Sequence, residues 1–341
     1  MRRNTFIISF IFLICLAIFV NSQELTQQEK QWLSKATRND KNGWIYLHIE
    51  GKPFERGFQR GYLTANEIEE VLSTLGHLAK NETGKDVDFF VKVSAELFKN
   101  KVSEEYVEEM KGMVAGAVKA GKKITYDDML FINGFIDVLW HWWPQVKDQP
   151  EHPKQPEPGC SAFIATGDAT ADGKIVMAHN SWYHYALLQY CNIIIDIVPE
   201  KGHRILMQSW GPSIYSGTDF FVTGAGLVGT ETTIGFFVGF NKEGTPVFER
   251  ARKAMQYANT IDEWANIMIK NNNGAYANSW LIGDLNTNEI ARLELGLKHH
   301  YLEKTKNGYF TGSNIPHSME ILRDETTGVW DDVRDFRVSR H

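Results

Sequence analysis

The chain has 341 residues, 43% hydrophobic and 12% aromatic, enough apolar material for one large core or two subdomains. A formal charge of -6, a pI near 6.0 and no Lys/Arg cluster beyond short pairs argue against a nucleic-acid partner, which needs a basic face. Acidic substrates are not specially favoured either.

Residues 1–23 read as a secretory signal: Arg2 and Arg3, an apolar stretch from Thr5 to Val20, then the polar Asn21-Ser22-Gln23. The apolar run of about 16 residues is short for a membrane anchor, which needs roughly 20. Export to a secreted, periplasmic or lysosome-like lumen is therefore the expectation, with membrane contact only through the signal. Cys15 would leave with it, and the remaining pair, Cys160 and Cys191, has one plain reading as a disulfide in an oxidising compartment. Asn81-Glu82-Thr83 is a glycosylation sequon.

Residues 24–143 read as mainly helical apart from one strand, Trp44 to Ile49. Pro53 opens a helix to roughly Ala79 with Phe58, Tyr62, Ala65, Ile68, Val71 and Leu72 on one stripe. Amphipathic stretches follow at about 87–99, 104–120 and 126–141, the last ending in Trp140-His141-Trp142-Trp143. From Pro144 to Gly159, PQVKDQPEHPKQPEPG carries five of the ten prolines and almost nothing to bury, as an exposed linker would.

Beyond Cys160 the pattern turns to strands at about 161–166, 175–178, 191–198, 204–209, 220–223 and 232–240. Helices at about 247–258 and 260–270 follow, the second with Thr260 and Glu263 in capping-box spacing, and strands resume at 279–283, 289–294, 298–303 and 309–311. Two sets of antiparallel strands with helices point to an α+β fold, a four-layer αββα sandwich behind a mostly helical N-terminal segment. Trp330 to Arg337 reads as a helix entered and not finished, so the chain is expected to be part of a longer protein.

Gly224-Ala225-Gly226-Leu227-Val228-Gly229 matches a dinucleotide fingerprint, yet β-forming residues follow where a helix must start. The chain has no HExxH, no paired CxxC and no GxSxG, and His299-His300 fits a strand edge, so no cofactor or metal is expected. What remains is Gly159-Cys160-Ser161-Ala162, a cysteine at the mouth of a strand after a disposable linker. Self-cleavage between Gly159 and Cys160 would free an α-amino group, with an unperturbed pKa near 7.7 to 8.0, that can take the thiol proton without a histidine partner. The glycine suits the strained peptide of an N-to-S acyl shift.

The run CSAFIATGDATADGKIVMAHNSWYHY resembles the phospholipase B-like family, as do Gly217-Thr218-Asp219-Phe220-Phe221 through Glu231-Thr232-Thr233, and Gly274-Ala275-Tyr276-Ala277-Asn278-Ser279-Trp280. Gly51-Lys52-Pro53-Phe54-Glu55-Arg56-Gly57-Phe58-Gln59-Arg60-Gly61 is similar to the acyl-coenzyme A:penicillin acyltransferase family. Both belong to the N-terminal nucleophile hydrolases. The resemblance implies Cys160 as nucleophile and processing point, Asn278 as oxyanion donor, and His179 and Asn180 on the strand lining the nucleophile. Bile-salt and penicillin-type relatives carry Arg-Asn-x-Asp there, and Trp182 stands where their Asp grips the α-amino group. Glu231 is a candidate replacement beside Thr230 and Thr232, or else pairs with an arginine such as Arg250.

The implied activity is hydrolysis or transfer of an acyl group held in a small lipid-like amide or ester. Trp140, Trp142, Trp143, Trp182 and Tyr183 are candidates for an acyl pocket, with core packing the alternative. Two rival readings stand beside it, a lipid acyl-ester hydrolase specifically and a non-catalytic exported binding protein holding a Cys160–Cys191 disulfide. Substrate identity and oligomeric state are open.

Overall fold

A computed structural model describes residues 24–146 and 159–328; the expected signal, most of the linker and the C-terminal helix lie outside them. The chain enters through a hairpin, β1 (Thr37–Lys41) and β2 (Trp44–Gly51), turned by Asn42 and Gly43, both at positive φ. Asn-Gly between two strands is the strongest short hairpin signal, and it marks the strand that the reading of one strand overlooks.

The helix expected from Pro53 to Ala79 is two, Pro53–Leu63 and Ala65–Thr83, broken at Thr64, whose hydroxyl bonds back to Arg60 O. The first packs tightly on Glu104–Lys119. A Cβ on Gly57 or Gly61 would lie 2.0 Å from Glu109 O or Met113 O, and one on Gly112 or Gly116 would lie 2.2 or 2.3 Å from Phe54 O or Phe58 O. Glycines four apart on both helices let the backbones touch. Gly61→Ala should therefore cost about 1–3 kcal/mol or more, read as a lower denaturant midpoint; an unchanged midpoint would show that the helices part freely.

Tyr126–Phe135 passes into a π-helix, Ile136–Trp142. The helices Val87–Phe98, Val247–Tyr257 and Ile261–Ile269 fall close to their predicted ranges. The strands are β3 (Ser161–Gly167), β4 (Gly173–Asn180), β5 (Ile193–Pro199), β6 (Ile205–Ser209), β7 (Phe221–Thr223), β8 (Leu227–Thr233), β9 (Asn278–Asp284), β10 (Glu289–Leu295), β11 (His300–Thr305) and β12 (Gly308–Gly312). The expected strand at 232–240 begins five residues earlier and stops at Thr233. There the chain leaves through Phe236, at φ 55, to bury Ile234 and Phe237 against Ala277 and Ile321. Gly224 and Gly226 of the fingerprint form the β7–β8 turn, with Gly226 at φ +86 and its N–H on Thr223 O, and Gly229 lies within β8 opposite Phe221.

Nine strands form one sheet in the order β1-β2-β5-β6-β7-β8-β9-β10-β11, and β12-β3-β4 form a second. All of these pairs are antiparallel except β2 with β5, where Ile45 to Gly51 run parallel to Ile193 to Pro199. The main core joins residues of both chain halves, including Leu47, Ile68, Phe131, Ile195, Trp264 and Trp280. Ala162 and Ile164 of the small sheet pack on Leu281 and Ile290 of the large one. The described residues thus give an α+β fold of helices, large sheet and small sheet. The outer face of the small sheet, with Phe163, Val176 and Tyr309, is exposed.

Candidate functional site

Cys160 stands directly before β3, buried, and its Sγ donates to Trp182 O at 3.9 Å. The Trp182 ring is 74% exposed and lies over Gly159, where a Cβ would come 2.8 Å from its Cγ. Only glycine fits the residue before the cysteine without moving that ring.

Register brings the first histidine in. Ala162 pairs with His179 and Ser161 with Asn180 across β3 and β4. His179 shares the parity of Ile175 and Met177, which pack inward, whereas Asn180 is exposed on the outer side, away from the cysteine. The Cys160 thiol, a His179 ring nitrogen and a Glu231 carboxylate oxygen all lie within 4.8 Å of one another. His179 Nε2 is buried with no hydrogen-bond partner, and burial lowers its pKa to about 4, so the ring is neutral at pH 7.

Behind Glu231 lie two residues to which the sequence reading gives no role. Tyr276 Oη is 2.5 Å from Asp219 Oδ2 and 3.1 Å from Glu231 Oε1, all three side chains buried. Burial raises Asp219 to about 6; burial first, then the charges of Asp219 and Cys160, holds Glu231 well above the usual carboxylate range. In this dry site the charge of Asp219 disfavours a second charge on Glu231. Asp219 and Tyr276 both sit at positive φ, 62 and 56, strain of about 1–3 kcal/mol each that the surroundings must hold. They do so through buried charge. Arg252 donates to Ile214 O at 2.7 Å and Arg60 to Gly211 O at 2.8 Å, pinning the loop that leads to Asp219, while Glu109 bridges Arg56 and Arg252. From the π-helix, His141 Nε2 accepts the Tyr276 N–H at 3.0 Å. Arg250 binds Thr245 O, Met268 O and Asn273 rather than Glu231.

Asn278 opens β9 opposite Thr233, one diagonal step from Glu231 across the β8–β9 ladder. It is fully buried, and neither its Nδ2 nor its Oδ1 has a hydrogen-bond partner. An orphaned buried amide costs about 1–3 kcal/mol, which makes it a donor waiting for an acceptor. Thr232 faces the small sheet, where a Cβ on Gly312 would meet its Oγ1 at 2.4 Å; its hydroxyl and that of Thr230 are buried without partners.

Trp143 is core, and Trp142 tilts against it, but Trp140 crosses Tyr183 edge-on at 6.0 Å and lines a cleft of about 440 Å³ with His141, Phe237, Phe240 and Leu297. Neither described cysteine is in a disulfide: Cys191 donates to Leu187 O at 3.6 Å, and burial pushes its thiol up to about 12. The disulfide reading is corrected, because each thiol faces a different backbone carbonyl. Among the described residues, no helix is long and apolar enough to cross a membrane.

The profile of the family described as Phospholipase B matches residues 37–329. An uncharacterized protein of Archaeoglobus fulgidus is 27% identical over 251 residues, covering 71% of this chain and 42% of that protein. Phospholipase B-like 1 of Bos taurus is 28% identical over 315 residues, and phospholipase B of Crotalus adamanteus 27% over 319, each covering 79% of this chain and 57% of its own length. The chain spans about half the length of these curated relatives.

Proposed function

The chain belongs to the phospholipase B family across residues 37–329, and from that premise we propose that it is an exported, self-cleaving cysteine hydrolase of lipid-like acyl esters or amides. The observation that carries this reading is the meeting of Cys160, His179 and Glu231 within 4.8 Å directly after the linker. Export rests on the pattern of residues 2–23.

In the precursor, Cys160 Sγ attacks the Gly159 carbonyl carbon and the acyl group moves from nitrogen to sulfur. Water then releases the Gly159 carboxylate and leaves Cys160 with a free amine. In turnover that amine takes the thiol proton, and the thiolate attacks the substrate carbonyl. The Asn278 amide, with a backbone N–H, donates to the oxyanion; the departing alcohol or amine takes the proton back, and water or a second amine resolves the thioester. Glu231, backed by Asp219 and Tyr276, takes the amine-facing position that Trp182 cannot fill. His179 lines the nucleophile as a neutral ring, and Thr232 offers a hydroxyl from the facing sheet. Asn180, facing outward, gets no part in the chemistry.

Acyl chains fit the apolar cleft beside Trp140, Phe237, Phe240 and Leu297. The names of the relatives favour a phospholipid ester over an amide. In architecture, we read the three layers as part of an N-terminal nucleophile sandwich whose fourth, helical layer would cover Phe163, Val176 and Tyr309.

Processed protein should turn over at least one class in a parallel screen of phospholipids, bile-salt conjugates and N-acyl amides; folded, processed protein inert towards all three would overturn the reading. Asn278→Ala should lower turnover by a factor of about 10² to 10³ with little change in melting temperature. A stable, fully active variant would remove Asn278 from the oxyanion role.

A further inference from the structure

Cys160, His179 and Glu231 also make a donor set that hydrolysis does not require. A thiol sulfur, an imidazole nitrogen and a carboxylate oxygen, all within 4.8 Å, are the three ligand types zinc prefers, and three protein ligands with one open position is a recurrent zinc arrangement. We propose that this cluster binds one Zn²⁺ ion, and that the bound metal holds the precursor uncut.

The geometry asks for little movement. Tetrahedral zinc with bonds of about 2.0–2.3 Å places its ligand atoms about 3.3–3.8 Å apart, so the donors close in by about 1.5 Å at most. His179 Nε2 is buried without a hydrogen-bond partner, so coordination through it breaks no hydrogen bond. The supporting shell is in place, because Glu231 also receives Tyr276 Oη at 3.1 Å and Thr233 Oγ1 at 3.3 Å, which orient its carboxylate. The mixed soft and borderline donors select zinc, or cobalt as its spectroscopic stand-in, over magnesium or calcium, which want oxygen throughout. On coordination the thiol gives its proton to solvent and Glu231 passes its proton to Asp219, and sulfur bound to zinc no longer reaches the Gly159 carbonyl. Zinc is thus a reversible brake on processing. The residues stand 19 and 52 positions apart in the chain, far from any zinc-motif spacing, which is why a search by motif passes over them.

The test uses precursor stripped with a chelator and titrated at once in the cold with Zn²⁺ by calorimetry and with Co²⁺ by absorbance, intact mass confirming that the chain is still uncut. One metal per chain is expected, with a thiolate-to-cobalt charge-transfer band. Cys160→Ser should abolish that band, and both Cys160→Ser and His179→Gln should weaken zinc binding by about 100-fold or more. If His179→Gln fails to fold, the serine variant and the band decide alone. No stoichiometric metal, or equal zinc affinity in the serine variant, would overturn the site. Binding is read in the uncut chain, so it stands or falls separately from the hydrolase reading. Self-cleavage of zinc-loaded precursor should start on chelation and stop when zinc is returned; cleavage at an equal rate with zinc bound would overturn the brake.

Discussion

Precursor carrying Cys160→Ala should stay a single chain, while the unaltered protein, purified and kept free of metal and protease, should split into one chain ending at Gly159 and one beginning Cys160-Ser161-Ala162. The effect is all or none, because alanine has no group to receive the acyl chain from the Gly159 carbonyl. Intact-mass measurement reads both products directly. Cys160→Ser should cut slowly, since a hydroxyl performs the same shift with a poorer nucleophile. Cleavage persisting in the alanine variant would mean that another protease trims the linker, and the main support for an N-terminal nucleophile would be gone.

The second large effect comes from the base. Leaving one extra residue before Cys160 keeps the thiol, His179 and Glu231 and removes only the free amine on the nucleophile. Turnover should fall by a factor of about 10² to 10⁴, the usual worth of a positioned base. The pH profile supplies an independent check. An amine base loses its proton as pH rises, so activity should climb through a midpoint near 7.7 to 8.0 if the amine is unperturbed, and higher if the Glu231 carboxylate holds the ammonium form. A histidine base would behave differently, because burial lowers His179 to about 4. Activity would then rise through that value and be flat around neutrality. Near-normal turnover in the blocked form, with a flat neutral profile, would make Cys160 and His179 a conventional pair.

Periodicity carried most of the fold. Amphipathic stripes located the helices, and runs of β-branched residues located most strands to within a few positions, because both are local records of which side faces the core. The misses have local causes too. Thr64 interrupts a stripe that continues on both sides, so pattern alone joins Pro53–Leu63 to Ala65–Thr83. Residues 234–240 have strand composition, but Ile234 and Phe237 among them fill a small core with Ile321, a contact no window of sequence contains.

The site was half legible. Cys160 and Glu231 stood out through neighbours in the chain. Asp219 and Tyr276 lay within the quoted stretches without a role, because the hydrogen bond between these residues, 57 apart in the chain, exists only once the fold brings them together. Asn180 drew notice through its adjacency to His179, yet alternation along β4 turns successive residues to opposite faces.

The parallel pairing of β2 with β5 joins strands from opposite sides of the proposed cut. Once the Gly159 to Cys160 bond is gone, one sheet and one core are woven from two polypeptides with no disulfide between them among the described residues. Unfolding then releases two particles instead of one, and recovery depends on their meeting again at the right edge among all competing sticky edges. The precursor folds as a unimolecular event at any dilution; the mature protein carries a shape that it can keep but not readily regain. Heating and cooling should therefore restore the uncut Cys160→Ala chain far more completely than the processed pair, and more so as the protein is diluted.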